Sequence, residues 1–193
     1  MESSARERIL DAAARQIASE GVAALALSDV AREAGVSKAL IHYHFRDKDT
    51  LLAQLVSHLA RRLVMRERAA LVPYVGQHNP LAVDAIWQWL HSELRSGDIR
   101  VLLELNSCRG VTVQAAAREA AALRRESAQE TVDRLFTILE LKPRVESSLL
   151  ANVFVPFIDG LAVHAGLGAA DGSASTARVA FDVFWLAMLS LAE

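Results

Sequence analysis

At 193 residues, 52% of them hydrophobic and only four of them proline, the chain is long enough to bury a core and too apolar to be disordered. Lys and Arg number 21 against 23 Asp and Glu, a net charge of −2. That excludes a generic polycationic nucleic-acid binder and leaves room for a site-specific one whose few cations are well aimed. The first fifty residues repeat the balance, with seven Lys and Arg against eight Asp and Glu. One cysteine, Cys108, excludes an internal disulfide and suits a reducing compartment. The opening MESSARERIL is charged where a signal peptide would be apolar, and no run approaches the eighteen or so uncharged apolar residues that span a bilayer. A soluble cytoplasmic protein with no membrane contact is expected.

In chain order, RERILDAAARQIASEG reads as an amphipathic helix with Ile9, Ala13 and Ile17 on one stripe, closed by Gly21. The next stretch, Leu27 to Phe45 (LSDVAREAGVSKALIHYHF), has the constrained positions of a helix-turn-helix. Ala31 is small where two helices cross. Gly35 sits where the turn needs a positive φ, and Ser37 can cap the second helix. A helix from Lys38 to Phe45 places Ile41, His44 and Phe45 on one face and Lys38, Ala39, His42 and Tyr43 on the other. The second face offers a cation, a small residue, an imidazole and a phenol, which suits entry into a DNA major groove. RDKDTLLAQLVSHL then starts a further helix near Lys48, with Leu51, Leu55 and Leu59 spaced by four.

Taken together, the R..IL.AA opening, G-V-A-A-L, D-V-A-R-E-A-G-V-S-K, the H-F end of the second motif helix and F-R-D-K-D-T-L-L resemble the N-terminal domain of the TetR family of bacterial transcriptional regulators. The resemblance runs from Arg6 to about Leu55; the remainder fits by length and helical character. It implies a dimer, two-fold symmetric operator DNA as partner, and a small-molecule effector bound in the C-terminal half. Two positions depart from the family pattern. Ala26 stands where Thr or Ser usually caps the first motif helix, leaving Ser28 to take over part of the capping or phosphate-contacting role. His42 stands where the family often has a phosphate-contacting Tyr. The DNA-facing set is then Ser28, Ser37, Lys38, Ala39, His42, Tyr43, His44 and Lys48.

Beyond residue 50, helices are expected at about 47–71, 81–95, 99–109, 112–140, 144–166 and 174–191. They are separated by PYVGQHNP, SGD, RG, LKP and GLGAADGS. With three helices before residue 46, this makes an all-α protein of about nine helices, divided as a DNA-binding domain (1–47) and a ligand-binding and dimerisation domain (48–193). The RRLVMRER run reads as cations snorkelling from a solvated helix face rather than as a second nucleic-acid patch. The last two helices are apolar nearly all round. They should be covered on two sides, one by a second copy of the chain, and Pro156 should kink the first of them. Phe154, Leu161, His164, Phe181, Phe184, Trp185 and Met188 are expected at that interface.

An apolar or aromatic effector is expected between the middle helices, against Trp87, His91, Asn106, Phe136 and Phe157. Trp87 and Trp89 are about 200° apart on a helix, so at most one faces that cavity. His42 and His44 point to different sides of their helix and lack a third ligand at metal spacing, so no metal site and no cofactor are expected. Nor does the sequence contain a phosphate loop or nucleophile elbow. The competing classes are a helical enzyme or carrier with a vestigial helix-turn-helix, and a regulator gated by oxidation of Cys108. The first would need a catalytic constellation that the sequence does not display; the second would need a reactive thiol.

Overall fold

The computed structural model describes residues 4–167 and 173–193. Among these residues there are nine α-helices and no strand. They are α1 (Ala5–Glu20), α2 (Leu27–Ala34), α3 (Lys38–His44), α4 (Lys48–Ala70), α5 (Ala82–Ser96), α6 (Asp98–Asn106), α7 (Val111–Ile138), α8 (Ser147–Leu167) and α9 (Ser173–Leu189). Short 3₁₀ turns, Val22–Ala24 and Val72–Tyr74, follow α1 and α4. The expected helices are all present. The largest boundary differences are three residues: α8 starts at Ser147 rather than 144, and α6 ends at Asn106 rather than 109 because the amides of Ser107 and Cys108 tighten onto the carbonyls of Glu104 and Leu105. Most of the expected GLGAADGS break lies outside the described residues.

The helices pack as two units, residues 1–61 with 98–121, and residues 62–97 with 122–193. A cut at residue 47 does not follow this packing: the first unit takes α6 and the starts of α4 and α7 as well as α1–α3. Its core joins Ile9, Ala13 and Ile17 of α1 to Val30 and Ala34 of α2, Ile41 of α3, Phe45, and Leu51, Leu55 and Leu59 of α4. A reciprocal capping box starts α1: Ser4 accepts from the Glu7 amide, and Glu7 accepts from the Ser4 amide.

In the second unit α8 packs against α9, and α5 against both. Phe154, Leu161, Phe181, Trp185 and Met188, expected at a subunit interface, are instead buried in this unit's own core. His164 is exposed and Phe184 half-buried. An all-apolar helix gives no periodicity to choose its inner side, and here the large aromatic residues fill the interior. The smaller residues face out: Val179, Val183 and Leu186 on α9, and Leu149, Val153 and Val163 on α8, are 47–69% exposed. The α9 set follows i, i+4, i+7 spacing, and the α8 set i, i+4, i+14, so each lies along one side of its helix.

Helix α8 continues through Pro156. It is the one described helix long and apolar enough, by length and composition, to cross a membrane. Its Asp159 forms a bidentate ion pair with the buried Arg124 of α7, and its Leu150, Ala151, Phe154, Ile158, Leu161 and Ala162 are buried. The pair gives the buried Arg124 its counter-charge. Of the four arginines of the RRLVMRER run, Arg66 forms an ion pair with Glu93 of α5 and Arg68 with Glu130 of α7, and Arg61 donates to the Ser57 carbonyl of its own helix.

Candidate nucleic-acid interface

Short local rules build the helix-turn-helix. Gly35 ends α2 at φ 65°, ψ 40°, the left-handed geometry that glycine accepts without a Cβ clash. The amide of Val36 closes back on the Ala31 carbonyl at 3.0 Å. Ser37 then caps α3, its Oγ accepting from the Leu40 amide at 3.1 Å. Ile41 and Phe45, each 1% exposed, anchor α3 in the core. The anchoring leaves Lys38, Ala39, His42 and Tyr43 exposed on the opposite face, with Tyr43 at 82%. His44 is half-buried and meets the Tyr43 ring edge-on, 5.3 Å between centroids. Ala26 holds the capping position before α2 and gives no side-chain cap, and Ser28, exposed in the first turn, does not supply the missing bond.

Lys48 is placed differently from the other expected contacts. It is half-buried, and its Nζ donates to the carbonyls of Val22 at 3.4 Å and Leu25 at 3.2 Å. It therefore ties the start of α4 to the turn that leads into α2. Glu104 of α6 grips the same turn from its donor side, accepting from the Val22 amide at 2.6 Å. Gly21 permits that approach: its φ is 83°, and a Cβ there would lie 3.1 Å from the Glu104 carboxylate. Sequence reasoning missed Glu104. It lies 82 residues from its partner, and an acidic residue on an amphipathic helix carries no signal of a distant amide. Asp47 caps α4 through the Thr50 amide at 2.7 Å, and hydrogen bonds from Thr50 hold its carboxyl below the ordinary value.

Cys108, half-buried after α6, has its thiol pushed up by burial and by the nearby Glu104 and Asp49 carboxylates, with Lys48 opposing. That environment disfavours the thiolate on which a redox switch depends. No group of three His, Cys, Asp or Glu side chains that could hold a metal occurs among the described residues.

Among the residues expected to hold an effector, Trp87 stacks on His91 at 5.5 Å and also packs on Phe181, with the Arg178 guanidinium over its ring. The guanidinium is held by Asp182 and Asp84, which keep it firmly protonated. Phe157 stacks on Phe184 at 4.1 Å, and Phe136 is buried. Asn106 is exposed and belongs to the first unit, whereas the other four belong to the second. Trp87 and Trp89 do diverge: Trp89 lines an open groove of the second unit that none of the five residues lines.

The fold and this exposed helix define a helix-turn-helix transcriptional regulator. Residues 9–55 match the family described as bacterial regulatory proteins, tetR family. Over 92% of its length the chain is 30% identical to the HTH-type transcriptional regulator BetI of Brucella anthropi, spanning 89% of that protein. It is 40% identical to BetI of Agrobacterium fabrum over 82 residues, 42% of this chain and 40% of that one. The fold is shared with a transcriptional regulator from Rhodococcus sp. Rha1 (TM-score 0.77, 20% identity, 98% of both chains). It is also shared with a TetR transcription regulator from Haloarcula marismortui (TM-score 0.72, 21% identity, 95% of this chain and 97% of that one). The chain belongs to the TetR family of bacterial transcriptional regulators.

Proposed function

We propose that the protein is a homodimeric repressor that binds a two-fold symmetric DNA site and leaves it when an apolar or aromatic small molecule binds the second unit. The observation that carries the reading is the outward face of α3, where Lys38, Ala39, His42 and Tyr43 stand clear of a core anchored by Ile41 and Phe45. Ser28, Ser37 and His44 flank that face. Lys48 acts mainly by fixing the turn before α2, since its ammonium is already engaged with two carbonyls.

The outward aliphatic residues of α8 and α9 support the dimer, because exposed apolar side chains on packed helices favour burial against a second copy. Two recognition helices in such a dimer fit half-sites about one DNA turn apart, ~34–36 Å, or a multiple of it. The effector would act through α4, a 23-residue helix that contributes residues to both units. Its differential affinity for the two states sets the response, typically ~1–3 kcal/mol.

Selection of bound DNA from a random pool tests the reading. A two-fold symmetric consensus is expected. Tyr43→Ala should change the preferred bases at fixed positions, whereas Lys38→Ala should also flatten the salt dependence. A pool with no enriched sequence would refute the regulator reading for this surface.

A further inference from the structure

We infer that the groove between α1, α4 and α7 binds a small organic monoanion, a carboxylate on a short apolar body. All of its lining residues belong to the first unit, and it encloses about 350 Å³, a volume in the range of small-molecule sites. Short side chains make the space. Ala53 of α4 and Ala116 of α7 are buried and Ala115 is half-buried, so the facing walls carry little beyond a Cβ there and offer methyl groups to an apolar body.

The negative charge follows from two arginines. Arg6 of α1 and Arg61 of α4 are exposed, line the groove and form no ion pair among the described residues. Each is held by a neutral acceptor. Arg6 donates from Nε and Nη2 to Gln54 Oε1 at 3.0 and 2.8 Å, and Arg61 donates from Nε to the Ser57 carbonyl at 3.1 Å. Both guanidiniums are thus fastened to α4 with their charges uncompensated. A guanidinium carries more N–H donors than these bonds use, in a planar fork that matches a carboxylate. Against the two cations stands one lining carboxylate, the exposed Glu119 of α7, a balance of +1 among the described residues. That balance favours a monoanion over a neutral compound or a dianion. None of the lining residues belongs to the second unit, where the effector is proposed to bind, so occupancy of the groove does not rest on the repressor reading.

The probes are hexanoate and hexanamide, which share a chain and differ in charge, titrated against the full chain by ligand-observed NMR at low ionic strength. Hexanoate should bind about tenfold more tightly, the product of about threefold from each exposed charge pair. Arg6→Gln and Arg61→Gln should each weaken hexanoate about threefold and leave hexanamide unchanged. Gln54→Glu, which gives Arg6 a counter-charge at its present contact, should act like Arg6→Gln. Glu119→Gln should tighten hexanoate. Arg125→Gln makes the same charge change at an exposed position of the second unit and should have no effect. Equal affinities for the two probes, no binding of either, or a preference for hexanoate that survives the Arg6→Gln, Arg61→Gln double variant overturns the site. A loss in Arg125→Gln as large as that in Arg61→Gln also overturns it, since net charge alone would then explain the attraction. The three arginines are exposed, so each variant should keep the helical circular dichroism of the unaltered chain.

Discussion

Two residues on α9, two positions apart, separate the core of the subunit from its proposed interface. Trp185 is 2% exposed and sits among Phe154, Phe181 and Phe184, with ring centroids 5.8–6.0 Å away. Truncating such a residue to Ala costs ~3–5 kcal/mol. For a chain of this size each kcal/mol moves Tm by ~2–4 °C, so Trp185→Ala should lower Tm by roughly 6–20 °C. Val183 is 60% exposed and contributes little to its own subunit's packing. Asp at that position should change the stability of an isolated subunit by no more than ~0.5 kcal/mol. In a dimer that covers the stripe, it would place a carboxylate from each copy in an apolar contact, which is strongly unfavourable. The assay combines light scattering with thermal melts at several protein concentrations, since the Tm of a dimer rises with concentration by mass action. The unaltered chain should be a dimer with a concentration-dependent Tm. Val183→Asp should be a helical monomer whose Tm does not move with concentration. If Val183→Asp remains dimeric while Trp185→Ala becomes a monomer with unchanged Tm, the inner and outer faces of α9 have been assigned the wrong way round.

Glu67 of α4 is buried, accepts from Ser127 and Thr131 at 2.8 and 2.9 Å, and has its carboxyl pushed above the ordinary 4.5 mainly by burial. A carboxyl raised on folding contributes stability that is fully present below its unfolded pKa and lost as pH rises through the folded value. Glu67→Gln should therefore gain on the unaltered protein as pH rises above about 4.5; melts across pH 4–8 that show the gap shrinking instead would refute this. Lys48→Ala strands the Val22 and Leu25 carbonyls, and should cost ~1–3 kcal/mol of stability and weaken DNA binding on every sequence. A variant with unchanged Tm and altered base preference would contradict that role. Cys108, with its thiol pushed up, should react with iodoacetamide at pH 8 more slowly than free cysteine. Faster alkylation would return the redox reading to contention.

What could be read from the sequence follows the range of the interaction that decides it. Gly35, Ser37 and the Ile41–Phe45 anchor were legible because a turn, a cap and a helical face are set within about four residues. The exposed set on α3 followed from that anchor. The inner side of α9 was not legible. Phe181, Trp185 and Met188 and the outward Val179, Val183 and Leu186 all count as apolar, so hydrophobic pattern cannot rank them. Side-chain size does: in the structure the aromatic stripe fills the interior between α8 and α9, leaving the smaller row outside.

Lys48 shows the same limit from the polar side. Its position at the start of a long helix placed it in the expected DNA-facing set, yet its ammonium donates to two carbonyls of the turn after α1, and Glu104 of α6 holds that turn's amide. The consequence is mechanical. The turn that aims α2 and α3 is held on its carbonyl side by α4 and on its amide side by α6, so a shift of either helix is felt at the helix-turn-helix through a short polar contact. Replacing Glu104 by Gln keeps an acceptor for the Val22 amide but weakens the charge-assisted bond. Within this argument, Glu104→Gln should lower DNA affinity less than Lys48→Ala and leave base preference unchanged, since neither residue belongs to the outward face of α3.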